Sequence, residues 1–315
     1  MIYTLTLNPA IDYHAVTELV EEGRTNRTKE EYLQPGGKGL NVAAVLAGLG
    51  DPVTAIALTA GPTGEILKSL LEREAVSCDF IELESGFTRI NVKLHQAGTG
   101  IMTELNGSGI RLNEELIGEI RERLGKIGKD DTLVLSGSLP AGSTPDLYRQ
   151  LMESTGAGKV VVDASGAALL EALEGKPYLI KPNRDELLDL MTQSGEQELI
   201  EAAGSGDAEA LEKGAAWLQQ RGAENVLVSM GGDGAFLLSA DGKVSRMEAP
   251  EGDLIDAVGA GDSMVAGFLH QAGQDTDPEK VLAFAVAAGS ATAFSMGLAK
   301  PRMIHQLYDE VRKQK

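Results

Sequence analysis

The stretch from 132 to 181 carries TLVLS (132–136), KVVVD (159–163) and YLIK (178–181). These runs are short, β-branched and almost continuously apolar, the pattern of parallel strands covered on both faces. Between the first two lies a helical pattern from Pro145 to Thr155, with Thr144 and Pro145 as its cap and first-turn pair. Working outward, IYTLTL (2–7), TAIAL (54–58) and NVLVS (225–229) repeat the strand pattern, and Leu40 to Leu49 repeats the helical one. Strand–helix alternation of this kind predicts an α/β fold, a doubly wound, mostly parallel sheet flanked by helices.

Two segments depart from it. TRINVKLH (88–95) alternates strictly, with Ile90, Val92 and Leu94 on one face and Arg89, Asn91, Lys93 and His95 on the other. After Gly98 and Gly100 comes IMTELN (101–106), which makes this a β-hairpin, and residues 12–17 and 28–33 are candidates to pair with it. A small, half-exposed lid sheet is therefore expected, its strands inserted at about 12–34 and 87–106 into one domain spanning 1–315. Residues 192–213, rich in Gly, Ser and Glu, read as a surface excursion.

Bulk properties narrow the function. The chain has 315 residues, 43% apolar and 24% charged, which describes an ordinary globular protein. A formal charge of −19 disfavours sequence-independent binding to nucleic acid or anionic lipid. An anionic substrate would need locally placed Lys, Arg and backbone N–H groups. The single Cys78 forms no internal disulfide, and no CxxC or His/Cys cluster suggests a metal site. MIYTLTLNP reads as a strand and not a signal peptide, and no apolar run reaches the length of a membrane span, so a cytoplasmic protein is expected.

In open α/β sheets, ligands gather at the carboxyl ends of the strands. Here those ends are polar: Asn8 and Asp12, Ser136 and Ser138, Asp163, Lys181 and Asn183, then Ser229. The strongest local signal is DAVGAGDSMVAGF (256–268), in which Gly259, Ala260 and Gly261 precede a helix whose Met264, Val265, Phe268 and Leu269 share a face. Small residues there let N–H groups converge on a phosphate at a helix N-terminus. Asp262 is then either a first-turn acid complementing the dipole or a base taking the proton of an attacking hydroxyl. PGGKGLNVAAVL (35–46) is not a Walker A loop, but Gly36, Gly37 and Gly39 allow close backbone approach and Asn41 opens a helix. In KPNRDE (181–186), Asn183 and Glu186 form either a capping box or a site organising Mg²⁺ and its waters. The turn from Ser229 to Gly234 suits a nucleotide or a hairpin. Arg89 is either a solvated strand residue or a bidentate phosphate ligand.

Together these runs, with TLNPAID, SGSLP and SMGGDGA falling between them, resemble the phosphofructokinase B family of ribokinase-like sugar kinases along the whole chain. NPAID, GGKGLN and TRINVKL are most similar to its 1-phosphofructokinase branch. The resemblance implies a ribokinase-like fold and ATP-dependent phosphorylation of D-fructose 1-phosphate. Tagatose 6-phosphate is the alternative acceptor, and a 6-phosphofructokinase or a non-catalytic sugar-phosphate sensor is less favoured. It implies Asp262 as general base, with Gly259, Ala260 and Gly261 as anion hole. Asp12, Gly37, Lys38, Asn41 and Ser138 would hold the sugar, with Arg89 and Lys38 the candidates for its existing phosphate. Lys181, Asn183, Ser229, Gly231, Gly232, Gly234, Val286 and Ser290 would line the ATP site. Asn183 and Glu186 are linked to Mg²⁺, and Asp256 and Val258 to a monovalent cation such as K⁺. A homodimer through the lid is implied as well. Two departures from the family pattern stand out: Ala257 replaces a common Thr, and Thr59-Ala60-Gly61-Pro62 replaces a more Gly-rich loop.

Overall fold

A computed structural model describes residues 1–314. In chain order the strands are β1 (Ile2–Thr6), β2 (Ala10–Thr17), β3 (Glu30–Gly36), β4 (Val53–Ala60), β5 (Ser77–Leu83), β6 (Arg89–Gln96) and β7 (Ile101–Asn106). Then come β8 (Thr132–Ser136), β9 (Lys159–Asp163), β10 (Leu179–Ile180), β11 (Asn225–Ser229), β12 (Ala235–Leu238) and β13 (Val244–Met247). Among the described residues they form a nine-stranded sheet, β13-β12-β11-β10-β9-β8-β1-β4-β5, and a four-stranded sheet, β3-β2-β6-β7. From β11 through β5 all pairings in the large sheet are parallel, and only the β11–β12 and β12–β13 pairings are antiparallel.

The continuously apolar runs are explained by helices on both faces. Leu133, Leu135, Val162 and Ile180 turn to one core, where α3 (Glu114–Leu124), α4 (Leu147–Glu153), α5 (Gly166–Ala172), α6 (Arg184–Thr192), α7 (Gln197–Ser205) and α8 (Ala208–Gln220) pack. Val134, Val161 and Leu179 turn to the other, against α1 (Lys38–Leu49), α2 (Gly61–Arg73), α9 (Ala260–Ala272), α10 (Pro278–Ala293) and α11 (Pro301–Val311). The chain winds from β1 outward through β4 to β5, then returns to β8 on the other side of β1. That reversal between β1 and β8 is the topological switch point, where such sheets open a crevice.

Several expectations are adjusted. The helix expected from Pro145 starts at Leu147, because Thr144 accepts from Leu147 N–H in a turn and Asp146 takes the N-cap position. The helix expected from Leu40 starts at Lys38, placing Asn41 inside its first turn. Residues 192–213 are no irregular excursion: α7 and much of α8 lie there, burying Leu199 and Leu211. Helix α9 is not one-faced; every residue from Asp262 to His270 is buried, because α10 and α1 cover what the sheet does not. In the small sheet only the strand over 10–17 pairs with the hairpin, through β6, while the strand over 30–36 pairs with β2 instead, and the polar face of β6 turns inward. Asn91 and Lys93 are buried while Ile90 is 42% exposed.

Among the described residues no helix is long and apolar enough to cross a membrane.

Candidate active site

Two cavities meet above the switch point. The first, about 640 Å³, lies between the carboxyl ends of the strands and the inner face of the small sheet. It gathers Asp12, Gly37, Lys38, Asn41, Arg89, Ser138, Lys181, Asn183, Glu186, Val258, Gly259, Gly261 and Asp262. The second, about 700 Å³, runs along α9 and α10 and gathers Asn183, Ser229, Gly231, Gly232, Gly234, Ala260, Val286 and Ser290. Asn183, Ser229 and Gly261 line both, so the two form one continuous cleft. Asp256 lies behind the first cavity, in a smaller one that shares Asp12, Asn41 and Val258.

The start of α9 shapes the junction. Gly259 has φ of +79°, the left-handed region, and a Cβ there would meet Leu298 at 2.8 Å. The loop before it is held to the end of α10, as Ile255 and Asp256 N–H both donate to the Ala293 carbonyl, at 2.8 and 3.2 Å. Ala260 N–H donates to Ala257 C=O at 3.2 Å, closing a turn. Gly261 lies in the first turn of the helix, where amides lack intrahelical partners. A Cβ on Gly261 would lie 3.0 Å from the Lys181 ammonium, so this bare backbone and that cation face the same space.

Asp262 is 5% exposed, and its Oδ2 accepts from Asn41 Nδ2 at 2.8 Å. Burial, and then the Asp163 carboxylate, push its carboxyl up to about 7, against the pull of Lys38, Asn41 and Lys181. Asp163, at the end of β9, is wholly buried. Its Oδ1 receives Lys38 Nζ at 3.1 Å and Lys181 Nζ at 3.6 Å. Burial works to raise the Asp163 carboxyl, yet Lys181 and Lys38 outweigh it and hold it below the usual carboxylate range. Lys38 shows the reverse balance: burial opposes its charge, but Asp163 and Asp262 lift its pKa above the ordinary value. Two ammonium groups are thus fixed by one buried carboxylate beside Gly261 and Asp262. Such an arrangement suits a densely anionic group at the junction.

On the other wall, Asp12 Oδ1 accepts from Asn91 Nδ2 at 2.8 Å. Arg89 donates to the Gly107 carbonyl at 3.3 Å, and its buried Nε has no protein partner. Asn183 and Glu186 do form a capping box: Asn183 Oδ1 accepts from Glu186 N–H and Glu186 Oε2 accepts from Asn183 N–H, each at 2.8 Å. The box leaves Asn183 and Glu186 on the cavity wall, so the capping role does not take them out of the cleft. The turn after Ser229 is likewise a true hairpin link between β11 and β12 and also a cavity wall. Among the described residues no cluster of three or more His, Cys, Asp or Glu could hold a metal ion by itself.

The structure adds residues that sequence reasoning passed over. Asp163 and Ser136 were visible as polar strand ends, but only the folded chain shows that Asp163 joins Lys38 to Lys181. Thr6, Lys93, Glu104 and Asn106 also line the first cavity. For Lys93 the signal was present, since it shares the polar face of β6 with Arg89. Ala249, Pro250, Gly252, Leu254 and Phe294 wall the second cavity from an irregular loop and a helix end, with no periodic signature.

Comparison with known proteins accords with this arrangement. The pfkB family carbohydrate kinase profile matches residues 5–304. The chain is 39% identical over 314 residues to a 1-phosphofructokinase of Bacillus subtilis, covering 99% of both chains. It is 33% identical to a D-tagatose-1-phosphate kinase of Bacillus licheniformis, again over 99% of both. The fold superposes on phosphofructokinase-2 of Escherichia coli in complex with fructose-6-phosphate with a TM-score of 0.87, at 32% identity and over 99% of each chain. With such relatives matching it from end to end, the chain belongs to the pfkB family of carbohydrate kinases and is an ATP-dependent sugar-phosphate kinase.

Proposed function

We propose that the enzyme transfers the γ-phosphoryl group of ATP to the 6-hydroxyl of D-fructose 1-phosphate, giving D-fructose 1,6-bisphosphate and ADP. One observation carries the chemistry: a buried carboxyl, Asp262, held by Asn41, lines the first cavity next to Gly261, which both cavities share, and burial pushes that carboxyl up to about 7. A group with that pKa takes up a proton readily at physiological pH. The 6-oxygen attacks the γ-phosphorus, its proton passes to Asp262, and the bond from γ-phosphorus to the β–γ bridging oxygen breaks with its electrons going to ADP. Gly259, Ala260 and Gly261 form the anion hole, and Lys181 and Lys38, held by Asp163, face the charge that spreads over the transferred group.

Asp12, Gly37, Asn41 and Ser138 hold the sugar, and Arg89 faces the phosphate it already carries. Lys38 was an equal candidate for that phosphate, but its tie to Asp163 favours the reacting end. Asn183, Ser229, Gly231, Gly232, Gly234, Val286 and Ser290 take ATP. The residues near its phosphates fit Mg²⁺, because Glu186 and Asn183 offer oxygen donors of the kind this hard cation prefers. Bound there with ATP, Mg²⁺ would neutralise phosphate charge, and Glu186 would reach it through water. Asp256, whose Oδ1 accepts from Val258 N–H at 2.9 Å, and the Val258 carbonyl are the donors for K⁺. The apolar outer face of the small sheet is the surface for a homodimer.

The choice of acceptor is supported by two relatives named for a 1-phosphofructokinase and a D-tagatose-1-phosphate kinase, both of which place the existing phosphate on carbon 1. That position makes tagatose 6-phosphate, the other acceptor considered, the weaker reading. A coupled ADP-release assay over fructose 1-phosphate, fructose 6-phosphate, tagatose 1-phosphate and tagatose 6-phosphate, ranked by kcat/KM, tests it. Fructose 1-phosphate should rank first, and a higher rank for any 6-phosphate would sink the proposal.

A further inference from the structure

Four cations line the first cavity, and they are not equally engaged. Lys38 and Lys181 both sit on Asp163. Arg89 and Lys93 stand on the inner face of β6 with Asn91 between them, their Cα atoms roughly 13 Å apart along the strand. Two long side chains can close that span around a tetrahedral anion. Arg89 uses one donor on Gly107 and leaves a buried Nε without a partner. The Lys93 side chain is 7% exposed, and its partner is Glu104 at 2.7 Å. An ammonium has three donors, so most of this one's capacity is unused inside a cavity wall. Glu104, on β7, is 35% exposed and has solvent to turn to.

We propose that Lys93 acts with Arg89 to grip the phosphate already carried by the acceptor sugar, and that Glu104 holds the Lys93 ammonium until this phosphate displaces it. The inference rests on the sugar-phosphate reading above and names the residue that completes its clamp. A buried ammonium without a counter-charge is costly, so the empty cleft needs Glu104. A phosphate dianion brings more charge and more acceptor oxygens than one carboxylate, and bonds between charged groups are the strong ones. The lid therefore reads the distal phosphate, while the Lys38–Asp163–Lys181 group serves the reacting end.

Two substitutions break the same ion pair but are expected to act in opposite directions. Lys93→Gln should raise KM for fructose 1-phosphate about ten- to hundredfold, as for a lost charged hydrogen bond, with kcat and KM for ATP changed less than about threefold. Glu104→Gln removes a competitor for Lys93 and should lower the same KM. If both variants raise KM alike, the pair only holds the lid together and the proposal fails; it fails too if Lys93→Gln leaves KM unmoved. A second arm needs no turnover: calorimetric titration with inorganic phosphate should give a weaker Kd in Lys93→Gln and a tighter one in Glu104→Gln. Should the wild type turn over no fructose 1-phosphate, the substrate assignment falls, while the phosphate titration still decides the role of Lys93. An unchanged phosphate Kd in Lys93→Gln would overturn that role.

Discussion

Asp262 sits in the first turn of α9, a place where an acid is ordinarily welcome to the helix dipole. Yet its carboxyl is pushed up to about 7, because burial and the Asp163 carboxylate together outweigh the dipole and the two lysines. Under the proposed mechanism, this unfavourable position is a cost accepted for chemistry. The consequences can be measured. Asp262→Asn should lower kcat at least about a thousandfold, at the upper end of general-base effects, while KM for the acceptor moves little because the amide still accepts from Asn41. An intact kcat would remove Asp262 from the mechanism. The same variant should be more stable than the wild type. The unfolded carboxyl titrates at about 3.8 and the folded one near 7, so the folded state holds a proton that the unfolded state has lost. The penalty is absent below pH ~4, grows as pH rises toward 7 and is complete above it, on the order of 2–4 kcal/mol. The Tm advantage of Asp262→Asn should therefore be larger at pH 8 than at pH 5. A base with this pKa also sets an acid limb: kcat/KM should fall about tenfold per pH unit below pH ~7, since the protonated form accepts nothing. A limb centred near pH 4 would show that Asp262 is not shifted.

At the scale of elements, the start of α9 separates two uses of glycine. Gly259 has a left-handed φ of +79°, whereas no such constraint applies to Gly261. Gly259→Ala should cost about 1–2 kcal/mol of stability from backbone strain alone. Gly261→Ala should leave stability unchanged or raise it by up to about 1 kcal/mol, as alanine favours the helix. Its methyl, however, would enter the space shared with the Lys181 ammonium, so kcat should fall by at least about tenfold, as displacement of a charge-stabilising group does. Thermal unfolding and steady-state kinetics on the two variants check the pair; equal loss of stability in both would make Gly261 a packing glycine only. This region also shows what the sequence could disclose. GAGD marked the helix start and its acid, since a run of small residues before an apolar helix is a local signal. It did not disclose that α9 is buried all round, because covering by α10 and α1 is a tertiary fact. The strands 132–136, 159–163 and 225–229 appear where their apolar runs predicted. β5 was missed because SCDFIEL, at the sheet edge, breaks its alternation at Phe80 and Ile81 and is not continuously apolar, so it fits neither strand pattern, and β12 and β13 are too short to stand out. Lys93 was read only as part of a polar face, because alternation tells which residues share a face and not which way the face points.

For the molecule as a whole, that orientation decides the outer surface. The inner face of the small sheet carries Arg89, Asn91 and Lys93 toward the cleft, so its apolar face must look outward. Strand register aligns Leu33, Tyr13, Val92 and Leu105 in one row across β3, β2, β6 and β7. Ile11 and Ile90 are paired in the next. Leu33, Ile90 and Leu105 are 41, 42 and 62% exposed, a clustered apolar patch on a chain otherwise charged at −19. A patch of this kind on a lid sheet asks for a cover, and a two-fold copy of the same sheet is self-complementary to it. Sedimentation at micromolar concentration should therefore give a dimer for the wild type. Leu105→Lys should give a monomer, since a desolvated lysine at the centre of such an interface has no counter-charge in this row. The monomer should keep its folded core, because both large-sheet cores lie elsewhere. It should lose affinity for the acceptor more than for ATP, because the unsupported lid carries Asp12 and Arg89 while the second cavity is walled by α9 and α10. A wild type that sediments as a monomer would leave the lid sheet uncovered in solution, and a Leu105→Lys variant that stays dimeric would place the interface on another surface.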